Sequence, residues 1–183
     1  MNKIIALVFL LFLSSCWIKY YRTEKDYARP LDSNVFTYKK KHFSSIDSLI
    51  DTTKIYCNAY PVDSPDYFDC YRFFSSERVL VYRFFGKIDT NAFSDINIGG
   101  VGYCHIDKDI MRVQLFTVNA QHLNEGGGGM LEHNYGIISN GNIIMDHEHI
   151  SKRYHASRNI LETGYKLVYK KTQIEAPALT PNW

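Results

Sequence analysis

The densest group of metal-ligating side chains in this sequence is the run Asp-His-Glu-His at positions 146–149. Alternate residues of a strand share one face of a sheet, so His147 and His149 have the spacing of two imidazole ligands for zinc or copper. His133 or His155 would have to supply the third protein ligand that a catalytic zinc site requires. No spacing selects either of them, and the polar neighbours are typical of a solvated strand end. The sequence therefore predicts no bound metal, with His147 and His149 as weak candidates.

No other group of residues is typical of a catalytic site. Cys104 and His105 are adjacent, which on a strand would place a nucleophile and its base on opposite faces. The four glycines at 126–129 are followed by Met-Leu-Glu, whereas a phosphate-binding loop continues with Lys and Ser or Thr, so they predict a flexible loop. The sequence also lacks a Gly-x-Ser-x-Gly motif. We therefore predict a non-enzymatic protein without a cofactor.

Cys16 ends a segment that is typical of an export signal. Lys3 precedes an apolar run at 4–13, and two serines follow the run. The run is too short to span a bilayer, which needs roughly 20 apolar residues. The tetrapeptide Leu13-Ser14-Ser15-Cys16 resembles the lipobox of bacterial lipoproteins. This resemblance implies that residues 1–15 are removed as a signal peptide, that the Cys16 thiol receives a diacylglycerol, and that the new N-terminus is acylated.

The lipobox resemblance also implies where the protein acts. Several acyl chains hold a protein stably at a membrane surface without spanning it, so the membrane is the first expected partner. An Asp after the lipidated Cys favours the inner membrane in enterobacterial lipoproteins, and Trp17 stands at that position here. The expected location is the cell envelope, on the periplasmic face of the outer membrane.

Charge and composition narrow the remaining partners. The chain has a formal net charge of +2, and removal of residues 1–15 would take away only Lys3, which leaves +1. A nearly neutral chain predicts no binding to nucleic acid. Aromatic residues make up 15% of the chain, which favours β-structure because aromatic side chains suit pleated surfaces.

Three of the four cysteines remain once Cys16 is lipidated, in an exported compartment that permits disulfides. Cys57 and Cys70 lie on successive predicted strands and form a candidate disulfide if their positions face each other. Buried free thiols are the alternative. The odd number leaves at least one thiol without a partner in its own chain.

The chain predicts one domain between a tether and a tail. Residues 16–42 carry the lipidated Cys and are otherwise polar, with Pro30 in the middle and little periodicity, which indicates a tether. The β-domain is predicted over 43–175 and begins with a short helix. Residues 176–183 contain two prolines and are predicted to form a tail.

About eight strands are predicted from alternating apolar and polar residues bounded by turn-forming residues. Asn140-Gly141 lies between two apolar runs and predicts a two-residue hairpin turn, because both residues tolerate positive φ. Short connections favour an all-β antiparallel meander, with one or two short helices, that closes into a small barrel or half-barrel. In outline the domain resembles a small lipocalin-like barrel. The predicted strands are 53–60, 67–74, 78–85, 99–106, 110–118, 130–139, 142–147 and 165–172.

The alternation also assigns side chains to faces of the sheet. Met111 and Leu115 are predicted to face the core and Gln114 the solvent. The tetrad Tyr-Arg-Phe-Phe occurs at 71–74 and again at 82–85, and we expect the two copies to lie in similar environments.

Three functions remain open. The first is a lipid-anchored, non-enzymatic module that binds an unknown protein at the envelope. The second is a lipocalin-like carrier of a small apolar or amphipathic ligand, in a cavity lined by tyrosine and phenylalanine side chains. The third is a metal-binding protein or metal-dependent enzyme that uses His147 and His149. A continuous interior cavity of at least ~300 Å³ favours the carrier, and a packed interior favours the protein-binding module.

Overall fold

The computed structural model describes residues 18–38, 49–59, 67–118, 128–146 and 166–183. Two short strands, β1 (Tyr20–Arg22) and β2 (Ala28–Pro30), pair with each other outside the main sheet. Two 3₁₀ helices span Ser33–Val35 and Thr90–Ser94. The longer strands are β3 (Lys54–Ala59), β4 (Tyr67–Phe73), β5 (Arg78–Phe85), β6 (Gly100–Asp107), β7 (Ile110–Val118), β8 (Gly129–Ser139), β9 (Asn142–Asp146) and β10 (Lys166–Glu175).

The eight longer strands form one closed antiparallel barrel, in the order β10-β3-β4-β5-β6-β7-β8-β9. Successive strands pair along the chain, and β10 completes the barrel by pairing with both β9 and β3. This confirms the predicted all-β meander and gives it the closed form of a small lipocalin-like barrel. Closure leaves the sheet without a free edge strand, which is the feature that makes open sheets prone to aggregation.

Residues with left-handed backbone close three hairpins at one end of the barrel. Asn140 and Gly141, with φ of +51° and +72°, form the predicted turn between β8 and β9. Glu77, between β4 and β5, and Lys108, between β6 and β7, also have positive φ. We call this end the turn end. The opposite end, at which β4, β6, β8 and β10 begin, is the open end.

Apolar side chains fill the barrel interior toward the turn end. Met111 and Leu115 face this interior, as predicted, and Ile50, from the segment before β3, packs into the same cluster. The buried members of this interior cluster are Ile50, Tyr56, Tyr71, Phe73, Val79, Cys104, Ile106, Met111, Val113, Leu115, Ile143, Met145, Leu167 and Tyr169.

The outer wall of the barrel is also apolar over β4, β5 and β6. Leu80 and Tyr82 on β5 are buried on this side, and so are Val101 and Tyr103 on β6. The ring of Phe93, in the second 3₁₀ helix, meets Tyr82 edge-on with centroids 4.8 Å apart. The N-terminal segment 18–38, the connection 86–99 and the segment after β10 supply the side chains that cover this wall.

Two buried arginines fasten the covering segments to the barrel. Arg72 on β4 donates hydrogen bonds to the backbone carbonyls of Phe93 and Pro177. Arg29 on β2 donates to the carbonyl of Gly99 at 2.8 Å. Burial lowers the pKa of both guanidinium groups, because it disfavours their charged form. Backbone carbonyl oxygens of the covering segments supply the hydrogen bonds that these buried charges need.

Residues 176–183, predicted as a tail, lie against the outer wall. The indole ring of Trp183 meets the ring of Phe74 edge-on, with centroids 6.1 Å apart. The carbonyl of Trp183 accepts hydrogen bonds from Arg78 Nε at 2.9 Å and from the Tyr103 hydroxyl at 3.1 Å. Side chains of the barrel wall therefore hold this segment at its last residue.

Gln114 was predicted to face solvent, and this prediction is wrong. The residue is 1% exposed, because the segment that follows the first 3₁₀ helix lies over it. The backbone N–H of Thr37 donates to Gln114 Oε1 at 2.8 Å, so a polar side chain of β7 holds a covering segment. The sheet has two buried faces at this point, which alternation along one strand could not indicate.

The two Tyr-Arg-Phe-Phe tetrads do not share an environment, contrary to the prediction. The register of β4 and β5 places Tyr71 opposite Val81, so Tyr71 faces the interior and Tyr82 faces the outer wall. A shift of one residue in register changes the face of every side chain on a strand. The two arginines are therefore separated as well: Arg72 lies in the outer wall and Arg83 at the open end of the barrel.

A disulfide joins Cys57 on β3 to Cys70 on β4. The two residues are direct partners in the register, with Cα atoms 4.1 Å apart. They are separated by 13 positions in the sequence, and cross-linking a loop of that size stabilises a fold by about 3 kcal/mol in the chain-entropy treatment. Cys104 is a free thiol buried in the interior.

We expect Gly141→Val to lower the free energy of unfolding by about 1–3 kcal/mol, because a β-branched residue is strained at positive φ. No atom lies within 4 Å of a Cβ built at this position, so backbone strain is the only cost. Urea unfolding measures the change. The control is Asn140→Gly, which relieves positive φ at the neighbouring position and should not destabilise the fold. An unchanged Gly141→Val protein would contradict the turn assignment.

Candidate functional site

A cavity of about 470 Å³ occupies the open end of the barrel. Its lining comes from the first residues of β4, β6, β8 and β10 and from the last residues of β5, β7 and β9. The turn end is filled by side chains, whereas the open end is wide enough to leave this space. A volume of this size lies within the range of about 300–1,000 Å³ that is typical of small-molecule sites.

The floor of the cavity is apolar and aromatic. Tyr71 and Tyr169 meet edge-on, with ring centroids 4.8 Å apart. Leu115, Met145 and Leu167 complete the floor, and all three are buried. An apolar body of a ligand would displace water from these side chains, which is the main driving force for binding in such pockets.

The upper wall of the cavity is charged. Arg83 Nε donates to Asp69 Oδ1 at 3.1 Å, with Asp69 5% exposed and facing the cavity. Glu132 on β8 and Asp146 at the end of β9 add two more carboxylates. The described lining residues thus carry three carboxylates and one guanidinium, a formal charge of −2. The side chain of Arg83 is 61% exposed, so the ion pair lies where the cavity meets solvent.

Asn58 provides a further polar group beside this wall. It lies opposite Asp69 in the register of β3 and β4, and it alternates with Tyr56, whose ring is in the interior cluster. Its Nδ2 is buried and has no hydrogen-bond partner in the part of the chain that the structure describes. An unsatisfied buried donor costs about 1–3 kcal/mol. Asn58 is next to the cavity wall and is not one of its lining residues.

The N-terminal hairpin reaches the cavity. Tyr27, in the turn between β1 and β2, is one of the lining residues. The hydroxyl of Thr23 donates to the carbonyl of Asn97 at 3.0 Å, and the buried Arg29 holds β2 to Gly99. The hairpin is therefore fixed to the chain just before β6, beside the open end.

Of the four histidines considered for a metal site, only His133 is among the described residues, and it does not line the cavity. His147, His149 and His155 lie outside the described residues. His133 lies on the outer wall, with its Nε2 3.3 Å from Gln114 Nε2 and its Nδ1 3.5 Å from the Tyr38 hydroxyl. Within the described ranges, no three His, Cys, Asp or Glu side chains come together as a metal site.

The cysteines provide no reactive thiol in the described chain. Cys16, the predicted lipid attachment residue, lies outside the described residues. Cys57 and Cys70 are paired with each other. Burial raises the pKa of Cys104 far above its ordinary value, so this thiol stays protonated at neutral pH. Cys104 faces the interior, and the ring of His105 lies near that of Tyr38 on the outer wall, as strand alternation predicts for neighbours.

No protein-family model, curated protein or solved structure matches this chain. In the ranges that the structure covers, no helix has the length and apolar character needed to cross a membrane.

Sequence reasoning did not select the charged residues of the cavity. Asp69, Arg83 and Glu132 each occupy an inward-facing position near a strand end. Asp146 is the last residue of β9 and follows the inward-facing Met145, so the four charged residues come from four different strands. Their spacing along the chain has no period that would reveal a shared site. For Asp69, Arg83 and Glu132, the available signal is a charged residue two or three positions from a strand end, on the same face as buried apolar residues. Asp146 carries no such signal, because it is the last residue of β9 and alternates with the inward-facing Met145.

Burial lowers the pKa of His133, so the folded protein binds fewer protons than the unfolded chain as the pH falls through the ordinary histidine value of 6.5. The stability contributed by neutral His133 is therefore lost on acidification. His133→Gln keeps a hydrogen-bonding side chain next to Tyr38 and Gln114 and removes the titration. In urea unfolding at about pH 7.5 and about pH 5.5, we expect the natural protein to lose more stability than His133→Gln. Equal losses of unfolding free energy in the two proteins would show that the titration of His133 does not contribute to the pH dependence of stability.

Proposed function

We propose that this chain is a lipid-anchored, non-enzymatic protein of the bacterial envelope whose barrel binds a small amphipathic molecule. The observation that carries the proposal is the cavity of about 470 Å³ at the open end. It exceeds the ~300 Å³ that separates a carrier from a protein-binding module with a packed interior. The closed barrel below the cavity gives the ligand a rigid floor.

The lining determines the chemistry of the ligand. An apolar body fits against Tyr71, Leu115 and Tyr169, and a polar head lies near the charged upper wall. The formal charge of −2 on that wall favours a cationic or neutral hydrogen-bonding head and opposes an anionic one. The ligand class is therefore an amphiphile with an apolar body and an amine or polyol head.

The membrane attachment rests on the first 16 residues. The apolar run and the tetrapeptide ending at Cys16 resemble a lipoprotein signal. Lipidation at Cys16 would hold the barrel at the membrane, and Trp17 after it favours the outer membrane. Residues 17–21 contain no acidic cluster of the kind that directs some lipoproteins to the cell surface, which favours the periplasmic face. The described cavity and the lipidation are independent parts of the proposal, and each has its own test.

A protein-binding module is the second candidate. Phe85, at the end of β5, is 75% exposed and could contact another protein. Binding of an amphiphile inside the cavity is not expected of such a module. The following experiment therefore separates the two functions.

We expect a dansyl-labelled alkylamine to bind the purified domain and Leu115→Trp to weaken its affinity by about tenfold, equivalent to about 1.4 kcal/mol, because the larger side chain occupies the cavity. Fluorescence titration measures both affinities. The matched control is Val168→Trp, which adds the same side chain at a position on β10 where Val168 is 38% exposed. This variant should bind the probe as tightly as the natural protein does.

The same titration with a dansyl-labelled fatty acid of equal chain length tests the charge preference. Glu132→Gln combined with Asp146→Asn should reduce the preference for the amine. Equal affinity of the natural protein and Leu115→Trp for both probes would contradict binding inside the barrel.

Cys16→Ser should abolish incorporation of radiolabelled palmitate and move the protein out of the membrane fraction, because the thiol that would carry the diacylglycerol is absent. Labelling of intact cells followed by fractionation measures both. A Cys16→Ser protein that still incorporates fatty acid and stays in the membrane fraction would show that the lipobox assignment is wrong.

A further inference from the structure

The first described residue of the chain is bonded to the rim of the open end. Ile18 and Gly129 exchange two backbone hydrogen bonds, at 3.1 Å and 2.9 Å. Gly129 is the first residue of β8, three positions before Glu132 in the cavity wall. A Cβ at Gly129 would lie 2.1 Å from the ring of Phe116 and 3.1 Å from the carbonyl oxygen of Ile18, so both the packing of Phe116 and the pairing with Ile18 favour glycine here.

Covalent geometry then limits where an anchor on Cys16 can lie. Only Trp17 lies between Cys16 and Ile18, and an extended chain spans at most about 3.6 Å per residue. The Cα atom of Cys16 therefore lies within about 7 Å of that of Ile18. A lipid on Cys16 would emerge next to the cavity entrance and not at the end of a long tether.

Among the described residues, the open end presents both charged and apolar side chains: Arg83 is 61% exposed, and Lys87, just after β5, is also exposed. At the open end, Phe85 is 75% exposed and Met130, next to Gly129, is 46% exposed. The hairpin turns of the turn end contain Lys108 and Asn140, and Asp107 beside them is exposed. Aromatic and apolar side chains favour the membrane interface, and charged residues favour water.

We propose that the open end of the barrel faces the lipid bilayer, so that ligand passes directly between the membrane and the cavity. This inference rests on the proposed lipidation of Cys16. The short connection to Ile18 places the bilayer surface next to the rim, and Phe85 and Met130 enter the headgroup region. The ligand is then an amphiphile that resides in the membrane, with its apolar body entering the barrel.

The distance between the barrel ends makes the orientation measurable. Strands of eight residues, such as β6, rise about 3.3 Å per residue and tilt by about 40° in small barrels. The turn end is therefore about 20 Å farther from the membrane than the open end. A quencher attached to lipid headgroups would reach a probe at one end only.

The test uses the full acylated chain in phosphatidylethanolamine–phosphatidylglycerol vesicles with nitroxide-labelled headgroups. A fluorescent thiol probe is attached at Phe85→Cys or, as the matched control, at Asp107→Cys. The other described cysteines do not compete for the probe, because two are paired and Cys104 is buried. We expect severalfold stronger quenching at position 85 than at position 107.

A second variant tests whether the short connection sets the orientation. Insertion of about 20 Gly/Ser residues between Trp17 and Ile18 adds a flexible link with a mean span of about 25 Å. It leaves the barrel and the anchor intact. We expect the quenching at position 85 to fall toward the value at position 107.

The outcomes distinguish the orientation from the anchor on which it rests. Mass spectrometry of each sample shows whether the acyl chains are present. An unacylated chain would overturn the anchor and the orientation together. An acylated chain with equal quenching at the two positions, or stronger quenching at position 107, would overturn the orientation alone and leave the lipidation intact.

Discussion

Both faces of the barrel wall are apolar over β4, β5 and β6, and the rest of the structure depends on covering the outer one. Tyr82 and Tyr103 are as buried on the outside as Tyr71 is on the inside. Exposed, this wall would be a contiguous apolar patch of the kind that causes association. The segments before β3, between β5 and β6 and after β10 cover it instead. Arg72 and Arg29 bind their backbone carbonyls, so the cover is fixed by hydrogen bonds as well as by packing.

This cover also connects the fold to the candidate function. The N-terminal segment cannot pack on the outer wall and remain a free tether. Its first described residue, Ile18, is hydrogen-bonded to Gly129 on the rim of the cavity. The interior is also divided, because Phe73 and Met111 help to fill the turn end, whereas the open end contains a cavity with an aromatic floor and a charged upper wall. The cavity and the start of the described chain therefore lie side by side.

The sequence predicted the barrel well because each strand has a local pattern. Alternation located β3 to β10, and Asn140-Gly141 identified its hairpin from two residues with tolerance for positive φ. The face of the sheet on which each side chain lies was harder to predict. Arg72 and Arg83 occur in identical tetrads, and only the pairing of Tyr71 with Val81 places one in the outer wall and the other at the cavity. The burial of Gln114 depends on a segment more than 70 positions away, and local patterns carry no information about such contacts.

The central claim is that the open end of the barrel holds a small amphipathic molecule. Native mass spectrometry of the protein purified from its own host tests this most directly, because it weighs the folded chain together with what it has bound. The account predicts a fraction of chains carrying one bound amphiphile with an apolar body and a cationic or neutral head, and a clearly smaller fraction for Leu115→Trp. Chains that carry no adduct, or an equal fraction with the adduct in both proteins, would contradict it.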